Sequence, residues 1–336
     1  MTSSTDGFAS SSSRAAASPA GRTPDFFIVG NPKSGTTALY EALRRHPQIY
    51  MPDLKEPWFF AEDMRPRFRV LRSPDPVESL EDYVALFEPA REGQRVGEAS
   101  STYLWSRTAA ARIAQLRPDA RIVAILREPA SFLYSLHLEF LQNHVESEKD
   151  LRRALALEQS RREGRRIPRR SARPQLLLYS DHVRYVEQLQ RYRAVFPPEQ
   201  MLVLVYDDFR RDNEATVRSV FDFLGVDVSQ DVEVTRENVT TMRMRSQKLD
   251  DLLNTISIGR GPVSRAAKAV LKTVTSMRMR DRAIRVTQSH LVSGRPEPPD
   301  EEVMAELRRR FKGEVTALSA YLGRDLTDLW GYDRLG

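Results

Sequence analysis

The chain has 336 residues, with 52 lysines and arginines against 46 acidic residues, a formal net charge of +6 and no cysteine. A chain of this length buries roughly three quarters of its unfolded surface, and 40% hydrophobic residues with 14 phenylalanines exclude wholesale disorder. The lack of cysteine excludes a disulfide scaffold, thiol catalysis and thiolate-bound zinc, and the five scattered histidines show no metal-ligand spacing.

Residues 1–24, rich in Ser and Ala with no apolar stretch, read as a disordered tail without a secretory signal, and a cytoplasmic location follows by default. The apolar runs further on are strand-sized and too short to cross a bilayer. Residues 25–30, a short apolar run ending in glycine, predict a buried parallel strand. Turn chemistry follows at 31–37, then a helix over 37–46 with Ala38, Leu39, Ala42 and Leu43 on one face. Residues 96–103 are strand-like, and 121–126 form another apolar strand leading through Pro129 into an amphipathic stretch to about 143. On that helix His137 and His144, seven apart, read as surface residues.

Residues 161–174 hold seven arginines, two prolines and a glycine, which predicts a solvated, self-repelling loop. A helix over 181–195 stopped by Pro197 and Pro198 comes next, then a strand over 201–206 and a helix over 215–224 ended by Gly225. From Arg243 to Arg285, eleven basic residues stand against three aspartates on a mostly helical stretch. A basic surface, a lid over an anion and a face for peripheral membrane contact are all open there. Alternating strands and helices predict a three-layer α/β/α domain over 25–336 with a central parallel sheet.

Only seven of the 52 basic residues are lysines, so a lysine in a suggestive place carries more information than an arginine. Lys33 lies in GNPKSGTT at 30–37, between the first strand and the first helix, the context a phosphate-binding loop requires. Glycines let successive backbone N–H groups converge on an anion, and the helix start adds unpaired donors. Compared with GxxxxGK[ST], Thr36 stands where the lysine belongs and Lys33 sits inside the loop. The strand at 121–126 runs into Arg127, not a magnesium-anchoring aspartate. These departures argue against a magnesium-dependent NTPase or kinase and for a nucleotide held by protein cations.

The segment PKSGTT at 32–37 resembles the 5′-phosphosulfate loop of sulfotransferases that use PAPS, 3′-phosphoadenosine 5′-phosphosulfate. Arg127 with Ser135 eight residues later resembles that family's 3′-phosphate motif, and segments at 196–209, 221–225 and 322–330 are similar to others of its members. The resemblance implies an enzyme moving a sulfuryl group from PAPS to a hydroxyl, or less readily an amine, of a small-molecule, glycan or lipid acceptor, with no metal required. It implies that Lys33, Ser34, Gly35, Thr36, Thr37, Arg127 and Ser135 bind the donor, with Lys33 stabilising the leaving group. Tyr206 would contact adenine, and Arg243 and Arg245 occupy the region that closes over the 3′-phosphate, although the Gly-rich form of that closing segment is missing.

The stretch at 96–103 lacks the histidine base of cytosolic members. KEPWFF at 55–60 instead resembles a segment of heparan-type and several bacterial sulfotransferases in which the glutamate is the base. Glu56 is therefore the expected base, its aromatic neighbours expected to raise its pKa, with local pairing to Lys55 as the structural reading and Glu98 as the alternative base. The competing functional readings are a P-loop kinase or NTPase and a non-catalytic binder of nucleic acid or acidic surfaces. Against the second, the arginines are spread along the chain without interleaved base-stacking aromatics.

Overall fold

A computed structural model describes residues 21–65, 77–143, 145–169, 171–232 and 298–334. Arg243, Arg245, His144 and the basic stretch 243–290 lie outside the described residues, as does most of the expected tail. Of that tail, residues 21–24 are described: Pro24 is buried, and Arg22 donates to the carbonyls of Ala90, Arg91 and Gln94. These four residues thus pack against the domain, where a free tail was expected.

Five parallel strands form one sheet in the order β2-β3-β1-β4-β5, with β1 at Phe26–Gly30, β2 at Ile49–Tyr50, β3 at Arg95–Ala99, β4 at Arg121–Leu126 and β5 at Met201–Val205. The chain lays β2 and β3 on one side of β1, then reverses to lay β4 and β5 on the other. The C-terminal end of β1 thus opens into the crevice where doubly wound sheets bind ligands. Side chains alternate in β1: Phe26 and Ile28 pack on one face with Leu39, Leu43 and Val123, while Phe27 and Val29 pack on the other with Phe60, Tyr103 and Leu126. Both faces are buried, which is why the strands read as unbroken apolar runs.

Helix α1 (Thr36–Arg44) and a later helix at Asn213–Leu224 cover the first face. The second face carries helix α2 (Leu80–Ala85), α3 (Ala109–Leu116) and α4 (Pro129–Gln142), together with the long helix at Glu301–Leu322. The three-layer arrangement predicted from the pattern is the one found.

Four local expectations change. The strand expected over 96–103 ends at Ala99, and residues 101–105 form a turn that carries Ser101 and Tyr103 beside β1. The single helix expected over 181–195 is two: after α5 (Leu151–Ala156) and α6 (Glu158–Arg162), α7 (Tyr179–His182) breaks before α8 (Tyr185–Arg193). The Gln188 side chain donates to the carbonyls of Asp181 and His182, so the break is hydrogen-bonded across its gap. Tyr206 does not end β5 but begins α9 (Tyr206–Arg211), ahead of α10, the helix at Asn213–Leu224. The strand-to-helix change comes at the Asp207-Asp208 pair, whose charges suit a helix start.

The fourth change concerns the arginine-rich loop. Residues 162–166 are exposed as predicted, but its ends are not. Arg161 closes a pair with Glu146 at 2.7 Å, their side chains 1% and 0% exposed. Tyr179 donates to the same carboxylate, and His137, also buried, hydrogen-bonds the Tyr179 hydroxyl and the Lys149 carbonyl. His137 is therefore a core residue, and burial lowers its pKa. A lone guanidinium in an arginine run gives no sequence sign that a carboxylate fifteen residues earlier awaits it.

Candidate functional site

The turn after β1 is shaped for close backbone approach. Gly35 has φ 86°, and a Cβ there would come within 2.8 Å of the Phe209 ring. Lys33 also takes a positive φ, 59°, a conformation that side-chain-bearing residues seldom adopt. Helix α1 starts without a side-chain cap and without an acidic residue in its first turn. Its first N–H groups are thus left as unpaired donors at the end of the sheet, where an anion would fit. Asn31 is buried in the same turn, its side-chain amide against the Tyr185 hydroxyl.

Two cations frame the turn. Arg127 follows β4, and its Nη1 donates to the Lys33 carbonyl at 2.8 Å while its guanidinium sits 4.8 Å over the Tyr206 ring. Tyr185 donates to the Arg127 carbonyl, and burial lowers the pKa of the guanidinium. Lys33 Nζ lies 3.2 Å from Glu139 of α4, the side chains 18% and 34% exposed. Ser135 is buried on α4, one turn before Glu139. The sequence-predicted residues 33–37, Arg127 and Tyr206 therefore surround one turn.

The C-terminal segment braces this arrangement. Tyr332 donates at 2.6 Å to Glu128, the N-cap of α4 next to Arg127. Trp330 donates to Asp207 beside Tyr206, and Arg324 pairs with Asp208. A short helix at Leu326–Leu329 supplies the turn that brings these groups together.

On the other side of β1 a second cluster centres on Glu56, whose N–H donates to the Ala99 carbonyl at the end of β3. Four donors converge on its carboxylate. Oε1 accepts from Lys55 Nζ and the Ser101 hydroxyl, each at 2.7 Å. Oε2 accepts from the Trp58 indole N–H at 2.8 Å and the Ser101 backbone N–H at 2.9 Å. Glu56 and Trp58 take φ values of 61° and 54°, so this turn holds backbone in a conformation that side-chain-bearing residues seldom adopt. The Lys55 pairing anticipated as the structural reading is present, as one bond of four. The aromatic neighbours behave differently from expectation: Phe59 and Phe60 turn into the core with Tyr83, and only Trp58 touches the carboxylate, through its polar edge. A carbonyl from Ser101 lies against Gly30, which joins this cluster to the anion turn.

Glu98 lies behind the Glu56 cluster, fully buried on β3. Its Oε2 accepts from the Tyr83 and Tyr103 hydroxyls at 2.8 and 3.1 Å. Burial pushes its pKa up to about 7, opposed by hydrogen bonds from Ser100, Tyr83 and Tyr103. With no surface exposed, Glu98 presents no atom to an incoming ligand.

Sequence reasoning missed Ser101, Tyr185 and Glu139. Ser101 falls within 96–103, where a hydroxyl after a strand is the available signal. Glu139 falls one turn after Ser135, a spacing that itself pointed to the same helix face.

A family model described as Sulfotransferase domain matches residues 23–268. The chain belongs to this family. The crystal structure of a sulfotransferase from Alicyclobacillus acidocaldarius shares the fold with a TM-score of 0.63 at 26% identity, covering 92% of this chain and 99% of that one. Carbohydrate sulfotransferase 15 of Homo sapiens is 27% identical over 249 residues, which cover 60% of this chain and 44% of that protein. Heparan sulfate glucosamine 3-O-sulfotransferase 3A1 of Mus musculus is 28% identical over 203 residues, covering 60% and 46%. The sulfotransferase chain thus spans less than half the length of these two relatives. Among its described residues no helix is long and apolar enough to cross a membrane.

Proposed function

We propose that this sulfotransferase moves a sulfuryl group from PAPS to a hydroxyl of a saccharide or similar acceptor. The observation that carries the reading is the convergence of Lys33, Arg127 and the uncapped start of α1 on one glycine-shaped turn. These groups fit a phosphosulfate: the uncapped helix-start N–H groups and two cations, all at one turn. PAPS supplies a sulfuryl group already activated by a phosphate leaving group.

The protein's contribution is then positioning and charge stabilisation, as in phosphoryl transfer. The turn N–H groups, Thr36 and Thr37 hold the 5′ side, while Arg127 and Ser135 take the 3′-phosphate with Tyr206 beside them. Lys33 Nζ stabilises negative charge on the leaving oxygen. Glu56 accepts the acceptor's proton at Oε1. Of the four donors around that carboxylate only the Ser101 hydroxyl can reverse its role, so on protonation the Glu56 O–H donates to Ser101 Oγ. Trp58 and the Ser101 N–H keep Oε2 fixed throughout.

The test is transfer from labelled PAPS to a saccharide panel by the wild-type chain and by Lys33→Ala. We expect PAP, the desulfated donor product, to stabilise the protein against heat without magnesium, ATP to have little effect, and Lys33→Ala to fold while losing about 100- to 1000-fold in kcat. Near-normal turnover by the folded variant would refute the assignment.

A further inference from the structure

The Trp58 ring, whose N–H edge is committed to Glu56, carries the Arg173 guanidinium over its face, 4.2 Å from the ring centre. Arg173 Nε donates to the Met64 carbonyl at 2.8 Å, and burial lowers its pKa. Among the described residues no carboxylate pairs with this guanidinium, whose terminal Nη1 and Nη2 groups stay uncommitted. Nearby acids are engaged elsewhere: Asp63 accepts from Ser106, Arg107 N–H and Thr108, and Glu62 pairs with Arg65 and Arg112. Ser171, Ala172 and Pro174 are buried around it, and Gln175 donates to the Asp63 carbonyl, so the segment holding Arg173 is anchored.

A partly desolvated guanidinium held by one nitrogen and one ring face, with its two-pronged end free, matches the planar geometry of a carboxylate. It stands one side chain away from the Glu56 carboxylate, beside the position proposed for the reacting hydroxyl. We propose that Arg173 determines acceptor specificity by receiving a carboxylate of an acidic sugar, which seats a neighbouring hydroxyl at Glu56. This rests on the sulfuryl-transfer reading for the identity of the site. Trp58 serves as the platform, and its hydrogen bond to Glu56 couples acceptor recognition to the orientation of the base.

A matched pair of probes isolates the carboxylate: p-nitrophenyl β-glucuronide and p-nitrophenyl β-glucoside differ only in carboxylate against hydroxymethyl. Binding to the full-length chain saturated with PAP is measured by calorimetry, and transfer from PAPS to each probe by label incorporation. Wild type is expected to bind the glucuronide about tenfold more tightly, the range of a charge-assisted two-pronged pair. In Arg173→Gln the preference disappears, glucoside binding and PAP affinity being unchanged. Equal binding of the two probes by wild type, a preference surviving in Arg173→Gln, or equal loss for both probes would overturn the proposal. If Arg173→Gln does not fold, Arg173→Lys decides, since it keeps the charge without the fork: a reduced preference supports the assignment and an unchanged one refutes it. A chain that prefers the glucuronide through Arg173 but transfers no sulfuryl group to any acceptor counts against the proposed function. One that transfers but shows no preference counts against Arg173.

Discussion

Glu98 offers the sharpest energetic test of the site's interior. Its carboxyl is fully buried on β3 and its pKa is pushed up to about 7 from an ordinary value of 4.5, so the native state holds the proton more firmly than the unfolded chain does. The stability that this protonation contributes is fully present below pH 4.5. It falls as pH rises and is lost once pH passes the folded value near 7. At about 1.4 kcal/mol per pH unit the interval amounts to about 3 kcal/mol. Glu98→Gln cannot ionise, and its amide oxygen can still accept from Tyr83 and Tyr103. Relative to wild type, the variant should therefore gain about 3 kcal/mol between about pH 4.5 and pH 8. Urea unfolding followed by tryptophan fluorescence at half-unit pH steps gives both curves. Parallel curves would show that Glu98 has the same proton affinity folded and unfolded, and the argument from burial would fail. Retained turnover in Glu98→Gln would further separate this residue from the base, which Glu56→Gln should cripple.

Ser101→Ala removes the one donor to Glu56 that can reverse direction, and kcat should fall about 10- to 100-fold with PAP affinity unchanged; an unaltered kcat would remove Ser101 from proton transfer. Gly35→Ala places a side chain at φ 86° against Phe209, so it should cost about 1–3 kcal/mol and weaken PAP binding, both read by calorimetry with and without PAP. Arg161→Ala leaves Glu146 charged and buried, which should cost about 3–5 kcal/mol in urea unfolding, while Arg161→Met with Glu146→Leu recovers most of it. If the double variant is as unstable as the single one, packing and not the orphaned charge explains the loss.

The layers of the domain were legible because buried parallel strands must be apolar along their whole length, and β1, β4 and β5 announce themselves that way. The anion turn was legible for a related reason: glycine, lysine and paired threonines between a strand and a helix have few other uses. What escaped the sequence depends on contacts across the sheet. Glu139 reaches Lys33 from a helix more than a hundred residues later, and nothing in either segment encodes the other. The Glu56 environment was misjudged because KEPWFF shows which aromatics are near in sequence, whereas a positive φ at Glu56 and Trp58 sends Phe59 and Phe60 inward and leaves a polar ring of donors. His137 and Arg161 look like surface residues in composition, and only the partners Tyr179 and Glu146 make their burial tolerable.

The brace at the C-terminal end has a consequence for the order in which the protein comes into being. Glu128 and Asp207 stand next to Arg127 and Tyr206, and both wait for side chains at 332 and 330. During synthesis the sheet and the anion turn are complete more than a hundred residues before those partners leave the ribosome. A growing chain thus carries this turn unbraced until residues 330 and 332 have emerged.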